Sequence, residues 1–134
     1  MNSEILYRLL WAVVLTSVGL ILYQLGNRWL LRRVSKLPQA FGFSHQGKPT
    51  LLYFTTPSCA PCKTIQRPAI ERLQQLTGDR LLVIEINVES QPEIARQWGV
   101  LSVPTTFVLD AQGIPRHVNH GVTHVDKLLQ EFEL

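Results

Sequence analysis

The apolar positions follow two different patterns along the chain. Residues 9–25 read LLWAVVLTSVGLILYQL without a formal charge, and extending the stretch back to Ile5 includes only Arg8. From residue 50 onward, short apolar runs alternate with polar and turn-forming segments. The first pattern predicts one long apolar helix and the second predicts a folded domain, so the 134 residues divide into an arm and a domain.

The N-terminal stretch has the length of a membrane-spanning helix. A helix over the 21 residues from Ile5 to Leu25 rises about 1.5 Å per residue, which is enough to cross a hydrocarbon core of about 30 Å. Trp11, Tyr23 and Trp29 lie near its ends, where amphipathic rings favour the headgroup region. We therefore predict one transmembrane helix, with residues 1–27 as the anchor.

Two other interpretations of this stretch are weaker. A cleaved signal peptide needs a small-x-small site after a short apolar run, but apolar residues continue past the candidate site at residues 17–19. A buried core helix would carry a polar face, which this stretch lacks. An uncleaved anchor agrees better with both observations.

The basic residues are concentrated beside the apolar stretch. Residues 1–40 carry a balance of +4, from five bases and one acid, whereas residues 41–134 carry −1, from eight bases and nine acids. Since a nucleic-acid footprint needs a basic face on the folded part, we expect no nucleic-acid binding. More bases follow the span than precede it, and the positive-inside rule then places the C-terminal domain in the cytoplasm. The bases are Arg28, Arg32, Arg33 and Lys36 after the span and Arg8 before it.

The segment after the anchor reads as a linker. Residues 28–49 begin with bases and continue with prolines and glycines, a composition typical of a juxtamembrane linker, with a short strand near Phe41–Ser44. Too few residues remain before residue 50 for a leading strand and helix of the domain. The anchor and linker are therefore candidates to cover the exposed sheet.

Residues 50–134 show the order strand, helix, strand, helix, strand, strand, helix. A helix between the first two strands implies that the strands are parallel and that the connection between them is right-handed. Pro68 predicts a kink in the first helix because it lacks an N–H group, and Ser90 with Glu93 predicts a capping box at the second. The predicted strands are residues 50–55, 81–88, 105–109 and 114–119, and the helices are residues 60–76, 90–98 and 123–132.

The two cysteines lie where the first strand has ended and a helix begins. Cys59 and Cys62 are three residues apart, so their thiols lie on one face of the first turn. Unpaired N–H groups and the partial positive charge of a helix N-terminus favour thiolate at Cys59. We predict that Cys59 is the nucleophile and that Cys62 resolves the mixed disulfide.

Two alternatives to redox chemistry stay open for this pair. It could be half of a zinc site, with ligands among His117, His120 and His124, but residues 117 and 120 point to opposite faces of a strand. It could also be buried and inert, although Pro57, Ser58 and Pro61 describe an exposed turn. We expect no metal and no organic cofactor.

Several segments together resemble the thioredoxin family over about residues 50–134. They are YFTTPSCAPCK at 53–63, INV at 86–88, WGVLSVPTTFV at 98–108, and Gly121. The resemblance implies an α/β fold, a thioredoxin-like mixed sheet flanked by helices. It also implies a cis Pro104 beside the disulfide, where the backbone is free to pair with an extended substrate; an ordinary trans proline is the alternative. The implied substrate-binding residues are Ser58, Ala60, Pro61, Val103 and Pro104.

The sequence departs from the family pattern at three places. Ser58 stands where the family commonly has Trp, and Ala60 stands where it has Gly. Tyr53 occupies the position of the usual buried acid. We expect Glu85, on the next strand, to replace that acid as a buried group of raised pKa that accepts the Cys62 proton, through water if needed. In the alternative, Glu85 points to the solvated end of the sheet.

These observations predict a membrane-tethered thiol-disulfide oxidoreductase that reduces protein disulfides. Its expected partners are protein disulfides, including membrane-bound ones, an electron-donating reductase and the lipid bilayer. The alternatives are an extracytoplasmic thioredoxin-like protein that serves cytochrome maturation and a binding module that senses redox state without turnover.

Overall fold

The computed structural model describes residues 2–34 and 46–134. Helices alternate with strands in the predicted order. The helices are α1 (Asn2–Val34), α2 (Arg67–Thr77), α3 (Pro92–Gln97) and α4 (Val125–Glu131), with a π-helical turn at Cys62–Gln66 and a 3-10 turn at Gly78–Arg80; the strands are β1 (Thr50–Thr55), β2 (Leu82–Asn87), β3 (Thr105–Leu109) and β4 (Pro115–His120).

The four strands form one mixed sheet in the order β2-β1-β3-β4. β1 and β2 are parallel, with Thr55 opposite Asn87, as the intervening helix predicts. β3 is antiparallel to both β1 and β4, with Thr105 opposite Phe54 and His120. The predicted α/β fold with a thioredoxin-like mixed sheet is confirmed.

Alternation along β1 divides the core into two layers. Leu51 and Tyr53 point to one face, where they join a cluster that includes both cysteines and the buried residues of α2 and α4. Leu52 and Phe54 point to the other face and pack with Trp98 and α3. Because every residue of β1 is buried, this strand is the centre of the domain.

The C-terminal end of α1 belongs to the domain. Val34 is fully buried, and Leu30 and Leu31 pack against the same cluster as Phe54 and Trp98. α1 therefore continues through residues 28–34, where we predicted a linker. Its side chains there share with α3 the cover of one face of the sheet. The sheet is thus covered by part of the segment that we predicted as a linker, and not by residues 3–26 of the predicted anchor, which are exposed. The predicted strand near Phe41–Ser44 lies outside the described residues.

Two local predictions have different outcomes. The predicted first helix is interrupted before Pro68, because the π-helical turn at Cys62–Gln66 precedes α2. Pro68 lies in the first turn of α2, where its missing N–H group does not break a hydrogen bond of a continuous α-helix. The capping box at Ser90 is wrong. α3 begins at Pro92 after Gln91 without a side-chain cap, and the Ser90 hydroxyl instead donates to the Asn87 carbonyl.

Gly99 allows α1 to approach the domain closely. Its φ is +69°, and a Cβ there would lie 2.7 Å from Cδ1 of Leu30. Gly78 also has a positive φ, of +55°, but no atom near its Cβ position. Gly78 also has a ψ of −133°, a conformation open mainly to glycine, so Gly78→Ala should cost backbone strain of about 1–3 kcal/mol. Gly99→Ala should cost about 1 kcal/mol beyond its own backbone strain because Leu30 must shift.

Chemical unfolding of the purified full chain checks this contact by a double-mutant cycle. Leu30→Ala is destabilising by itself because Leu30 packs in the core, but Gly99→Ala should cost about 1 kcal/mol less in the Leu30→Ala background than in the wild type, since the clashing methyl group is gone. An equal cost of Gly99→Ala in the two backgrounds would show that Leu30 does not pack on Gly99.

Candidate active site

The cysteine pair follows the C-terminal end of the central strand. β1 ends at Thr55, a short turn follows, and the helix begins at Ala60. Cys59 and Cys62 form a disulfide with an S–S distance of 2.08 Å and a Cα–Cα distance of 5.3 Å. The sequence prediction of two thiols on one face of the first turn is thereby met, and the pair is seen in its oxidised state.

The two sulfur atoms have unequal environments. Cys59 is 9% exposed and Cys62 is 1% exposed. The backbone N–H of Cys62 donates to Sγ of Cys59 at 3.2 Å. A donor aimed at this sulfur stabilises the thiolate over the thiol. In the reduced protein, Cys59 is thus the better placed nucleophile, and Cys62 lies behind it.

The loop before β3 completes the site. The Val103–Pro104 peptide bond is cis, so the trans alternative is wrong. Val103 packs against the cluster that contains both cysteines. The backbone N–H of Gly121, directly after β4, donates to the Pro104 carbonyl at 2.8 Å. The ends of β1, β3 and β4 at Thr55, Thr105 and His120 therefore lie together with the disulfide, and we call this end of the sheet the active-site edge.

Ser58, Ala60 and Pro61 form an exposed rim around the disulfide. The Ser58 hydroxyl lies 3.4 Å from Oε1 of Glu89 and 3.4 Å from the Thr56 hydroxyl. A polar side chain thus occupies the place where the family commonly has an aromatic one. Val103 and Pro104 are the other two predicted substrate-binding residues, and they border the same surface at this end of the sheet.

Gln66 is a supporting residue that the sequence did not single out. It is fully buried; its amide donates to the Thr123 carbonyl at 3.1 Å and accepts from the Thr123 N–H at 2.8 Å. These two bonds fix the segment after Gly121 to the helix that carries Cys62. The sequence signal that could have identified it is its spacing: Gln66 lies four residues after Cys62 and four before Ile70, so the three side chains share one helix face.

Tyr53 lies beneath the disulfide. Its hydroxyl donates to the Cys62 carbonyl at 3.2 Å. Burial raises the pKa of Tyr53 above 10.0, and the nearby Glu85 charge raises it further, while a hydrogen bond with Thr55 and the charge of Arg67 oppose the shift. The phenol is therefore a neutral donor at physiological pH and supports the Cys62 backbone.

Glu85 is not buried, contrary to the sequence expectation. Its side chain is 47% exposed and forms an ion pair with Arg67 at 2.9 Å. Glu85 lies opposite Tyr53 in the β1–β2 register, but its carboxylate leaves the sheet toward solvent because Arg67 on α2 binds it there. This geometry is the alternative that we described for Glu85.

No group of three or more His, Cys, Asp and Glu side chains in residues 2–34 and 46–134 is arranged to hold a metal ion. His117 and His120 lie opposite Val108 and Thr105 on neighbouring β3. His120 is engaged elsewhere, as its Nε2 donates to Oδ1 of Asn27 at 3.2 Å. Among the residues that the structure describes, no histidine is arranged to bind zinc together with Cys59 and Cys62.

A disulfide at a helix N-terminus, beside a cis proline on an adjoining strand of a mixed sheet, defines a dithiol–disulfide redox protein. Comparison with known proteins agrees. The sequence profile named Thioredoxin matches residues 40–133. The chain is 38% identical over 76 residues to a thioredoxin of Bacillus subtilis, which covers 57% of this chain and 72% of the relative.

Two further relatives extend the comparison. A thioredoxin-like protein of Synechocystis is 32% identical over 87 residues, covering 65% of this chain and 81% of the relative. The crystal structure of oxidised mitochondrial thioredoxin 3 from Saccharomyces cerevisiae superposes with a TM-score of 0.61 at 21% identity, covering 72% of this chain and 88% of the other; at this identity it shows the fold alone.

The chain belongs to the thioredoxin family. It is a thiol-disulfide oxidoreductase with an active-site cysteine pair.

Tyr53→Phe should destabilise the oxidised protein by about 1 kcal/mol at neutral pH because it removes the hydrogen bond to Cys62. The pKa of Tyr53 is raised in the folded protein, so its contribution is complete below the unfolded value of 10.0 and is lost as pH rises through the folded value. The difference between wild type and variant should therefore shrink above about pH 10.

Urea unfolding at pH 7, 9 and 11 measures this difference. Thr106→Val is the matched control: Thr106 lies opposite Tyr53, and among the described residues its buried hydroxyl has no hydrogen-bond partner. Thr106→Val should leave the free energy of unfolding unchanged or raise it. A difference between Tyr53→Phe and wild type that is independent of pH up to 11 contradicts the pKa argument.

Proposed function

We propose that this protein is a membrane-tethered reductant of protein disulfides. The observation that carries the proposal is the unequal pair itself: Sγ of Cys59 accepts the N–H of Cys62, and Cys59 is 9% exposed against 1% for Cys62. A stabilised thiolate in the more exposed residue, with a more deeply buried partner three residues further on, suits two-step disulfide exchange.

The exchange balances in atoms and electrons. The Cys59 thiolate attacks one sulfur of a substrate disulfide, forming a mixed disulfide and releasing one substrate thiolate. Cys62 loses its proton and attacks Sγ of Cys59, forming the Cys59–Cys62 disulfide and releasing the second substrate thiolate. The substrate gains two electrons, and a reductase must return two electrons to the pair.

Substrate binding in this proposal uses the rim and the adjoining loop. Ser58, Ala60 and Pro61 contact the segment that carries the substrate disulfide, while Val103 and Pro104 offer backbone to its extended chain. The hydroxyl of Ser58, in place of an aromatic ring, gives this surface a more polar character.

The proton of Cys62 needs an acceptor, and Tyr53 is a neutral donor. We propose that Glu85 serves through water. A cleft of about 200 Å³ is lined by Glu85, Arg67 and Lys63 together with Thr56 and Pro57 of the active-site turn, and a cleft of this size holds several water molecules. Cys62 itself does not line this cleft, but its neighbour Lys63 does. In this proposal a water molecule beside Lys63 therefore carries the proton from Cys62 to Glu85.

Glu85→Gln should slow disulfide reduction several-fold between about pH 6 and 8 if this carboxylate receives the proton. Glu93→Gln is the control, because Glu93 is also an exposed, ion-paired glutamate, with Arg96 as its partner, and lies on α3 away from the cleft. Unchanged rates for Glu85→Gln across this range would rule Glu85 out.

The tether rests on the exposed apolar surface of α1. The helix is long and apolar enough to cross a membrane, and its apolar window is 0% buried by the rest of the protein. A soluble core helix would be covered by its own domain, so the bilayer is the natural cover for this one. A signal sequence also has such a helix, but Leu30, Leu31 and Val34 of α1 pack in the folded core.

We place the domain on the cytoplasmic side because the bases after the span outnumber the one before it. Since Cys59 and Cys62 are the chain's two cysteines, an impermeant maleimide tests this directly. Intact and permeabilised cells are labelled with and without prior reduction, because a disulfide does not react with maleimide. Labelling of intact cells in either condition would show that the orientation is the reverse of the one proposed.

Cys59→Ser should abolish insulin reduction by the full chain in detergent, with a loss of at least about 100-fold, because the attacking thiolate is gone. Cys62→Ser should instead accumulate a mixed disulfide with insulin, visible on a non-reducing gel, because nothing resolves it. Activity retained in Cys59→Ser would show that Cys59 is not the nucleophile.

A further inference from the structure

We propose that α1 holds the active-site edge at the headgroup level of the bilayer, so that the substrates are disulfides of membrane-embedded proteins that lie close to the membrane surface. This inference rests on the proposed function, since it takes α1 as the anchor. What it adds is the direction in which the site faces and the class of substrate that can reach it.

The contacts of α1 follow an order along the helix. Val34 is buried in the core beneath the sheet, Leu30 lies against Gly99, and Asn27 accepts from Nε2 of His120 at 3.2 Å. Residues 3–26 are all exposed. The helix therefore leaves the domain at Asn27, and its apolar part projects beyond that point.

The point of departure is the active-site edge. His120 is the last residue of β4 and pairs with Thr105, the first residue of β3, directly after cis Pro104. Gly121, next to His120, donates to the Pro104 carbonyl. The side chain of Asn27 is thus bound to the side chain of His120, the neighbour of Gly121 at the active-site edge, and the apolar part of α1 lies on the active-site side of the sheet.

The distance between this edge and the hydrocarbon is short. Leu25, the last residue of the charge-free stretch, precedes Asn27 by two residues, or about 3 Å of helix. The headgroup layer on each side of a bilayer is about 5–8 Å thick. Asn27 and the adjoining edge therefore fall within that layer, and Arg28 lies where a base meets lipid phosphate.

The connection between anchor and domain is continuous helix. α1 runs from Asn2 to Val34 without a break, so no flexible segment separates the span from the core residues Leu30, Leu31 and Val34. The domain consequently cannot rotate its active-site edge away from the bilayer without unseating these side chains. The orientation of the site is fixed by packing.

Leu101 supports the same direction. It lies in the loop between α3 and β3, two residues from Val103, and is 96% exposed. An isolated exposed leucine is common on soluble proteins, but this one occupies the loop that joins the Leu30 contact at Gly99 to Pro104. At headgroup level its side chain reaches the apolar boundary of the bilayer, which gives it an apolar environment.

The position of the site selects substrates. A disulfide that lies a few residues outside a transmembrane segment is at the height of Cys59, whereas a disulfide in a large soluble domain must enter between the edge and the lipid surface. Sharing one membrane also raises the effective concentration of an anchored substrate.

Depth-dependent quenching tests the orientation. The full chain, with Cys59→Ser and Cys62→Ser, receives a single new thiol as Leu101→Cys or, as the control, Gln112→Cys. Gln112 lies in the exposed turn after β3, beyond the opposite end of that strand and so more than about 14 Å from Thr105 along it. Each is labelled with an environment-sensitive dye and reconstituted into phosphatidylcholine vesicles that contain a headgroup nitroxide lipid.

We expect quenching at position 101 to exceed quenching at position 112 by several-fold. Equal quenching at the two positions would overturn the proposed orientation while leaving the tether intact. Recovery of both labelled proteins outside the vesicles would contradict the tether itself, which belongs to the proposed function.

A competition between two substrates tests the selection. Both are synthetic transmembrane peptides with the same small disulfide loop, placed either three residues after the apolar segment or beyond a 30-residue helical spacer of about 45 Å. In vesicles, the wild-type chain should reduce the near disulfide at least tenfold faster. A ten-residue Gly-Ser insertion between Gly26 and Asn27 frees the domain to turn and adds about 17 Å of average reach, so it should reduce the preference several-fold.

Three outcomes are distinguishable. Equal rates for the two peptides with the wild-type chain would overturn the inference, as would a preference that the insertion leaves undiminished. Failure to reduce either peptide, together with failure to reduce insulin in detergent, would instead overturn the proposed function.

Discussion

The packing of the last turns of α1 against the sheet is the contact on which the rest of the arrangement depends. The face formed by Leu52, Phe54 and Phe107 is apolar and must be covered, and α3 is only six residues long. Val34, with Leu30 and Leu31, supplies the missing cover. Full burial of one such aliphatic side chain stabilises a fold by about 1.5–3 kcal/mol, so this contact supports the domain as well as attaching it to the anchor.

The same contact links the fold to the chemistry. Covering that face leaves the other face to α2 and α4, where Tyr53 and Cys62 meet. The disulfide therefore lies between a buried support and an exposed rim, and the amide of Gln66 fixes the loop after Gly121 beside it. Because α1 enters the core from the active-site edge, the helix that completes the sheet cover also sets the direction of the site in our proposal.

The residues that carry chemistry were largely readable from the chain. Cys59 and Cys62 after a short buried strand, and Pro104 before the next strand but one, are local patterns whose meaning does not depend on distant contacts. The strands and helices of residues 50–134 were predicted within a few residues of their observed bounds. Local periodicity and turn residues decide such features.

Other features could not be read in this way. Glu85 lies in an apolar run that suggests burial, yet Arg67 on a different element draws its carboxylate to the surface. The bases of residues 28–34 suggest a linker, yet one side of that helix is seated in the core.

The sequence by itself thus determined the elements, the redox pair and the apolar span, because each depends on neighbours along the chain. The tertiary structure alone decided which side chains of α1 are buried, where Glu85 points and which end of the sheet faces the anchor, because these depend on contacts between residues as far apart as Asn27 and His120.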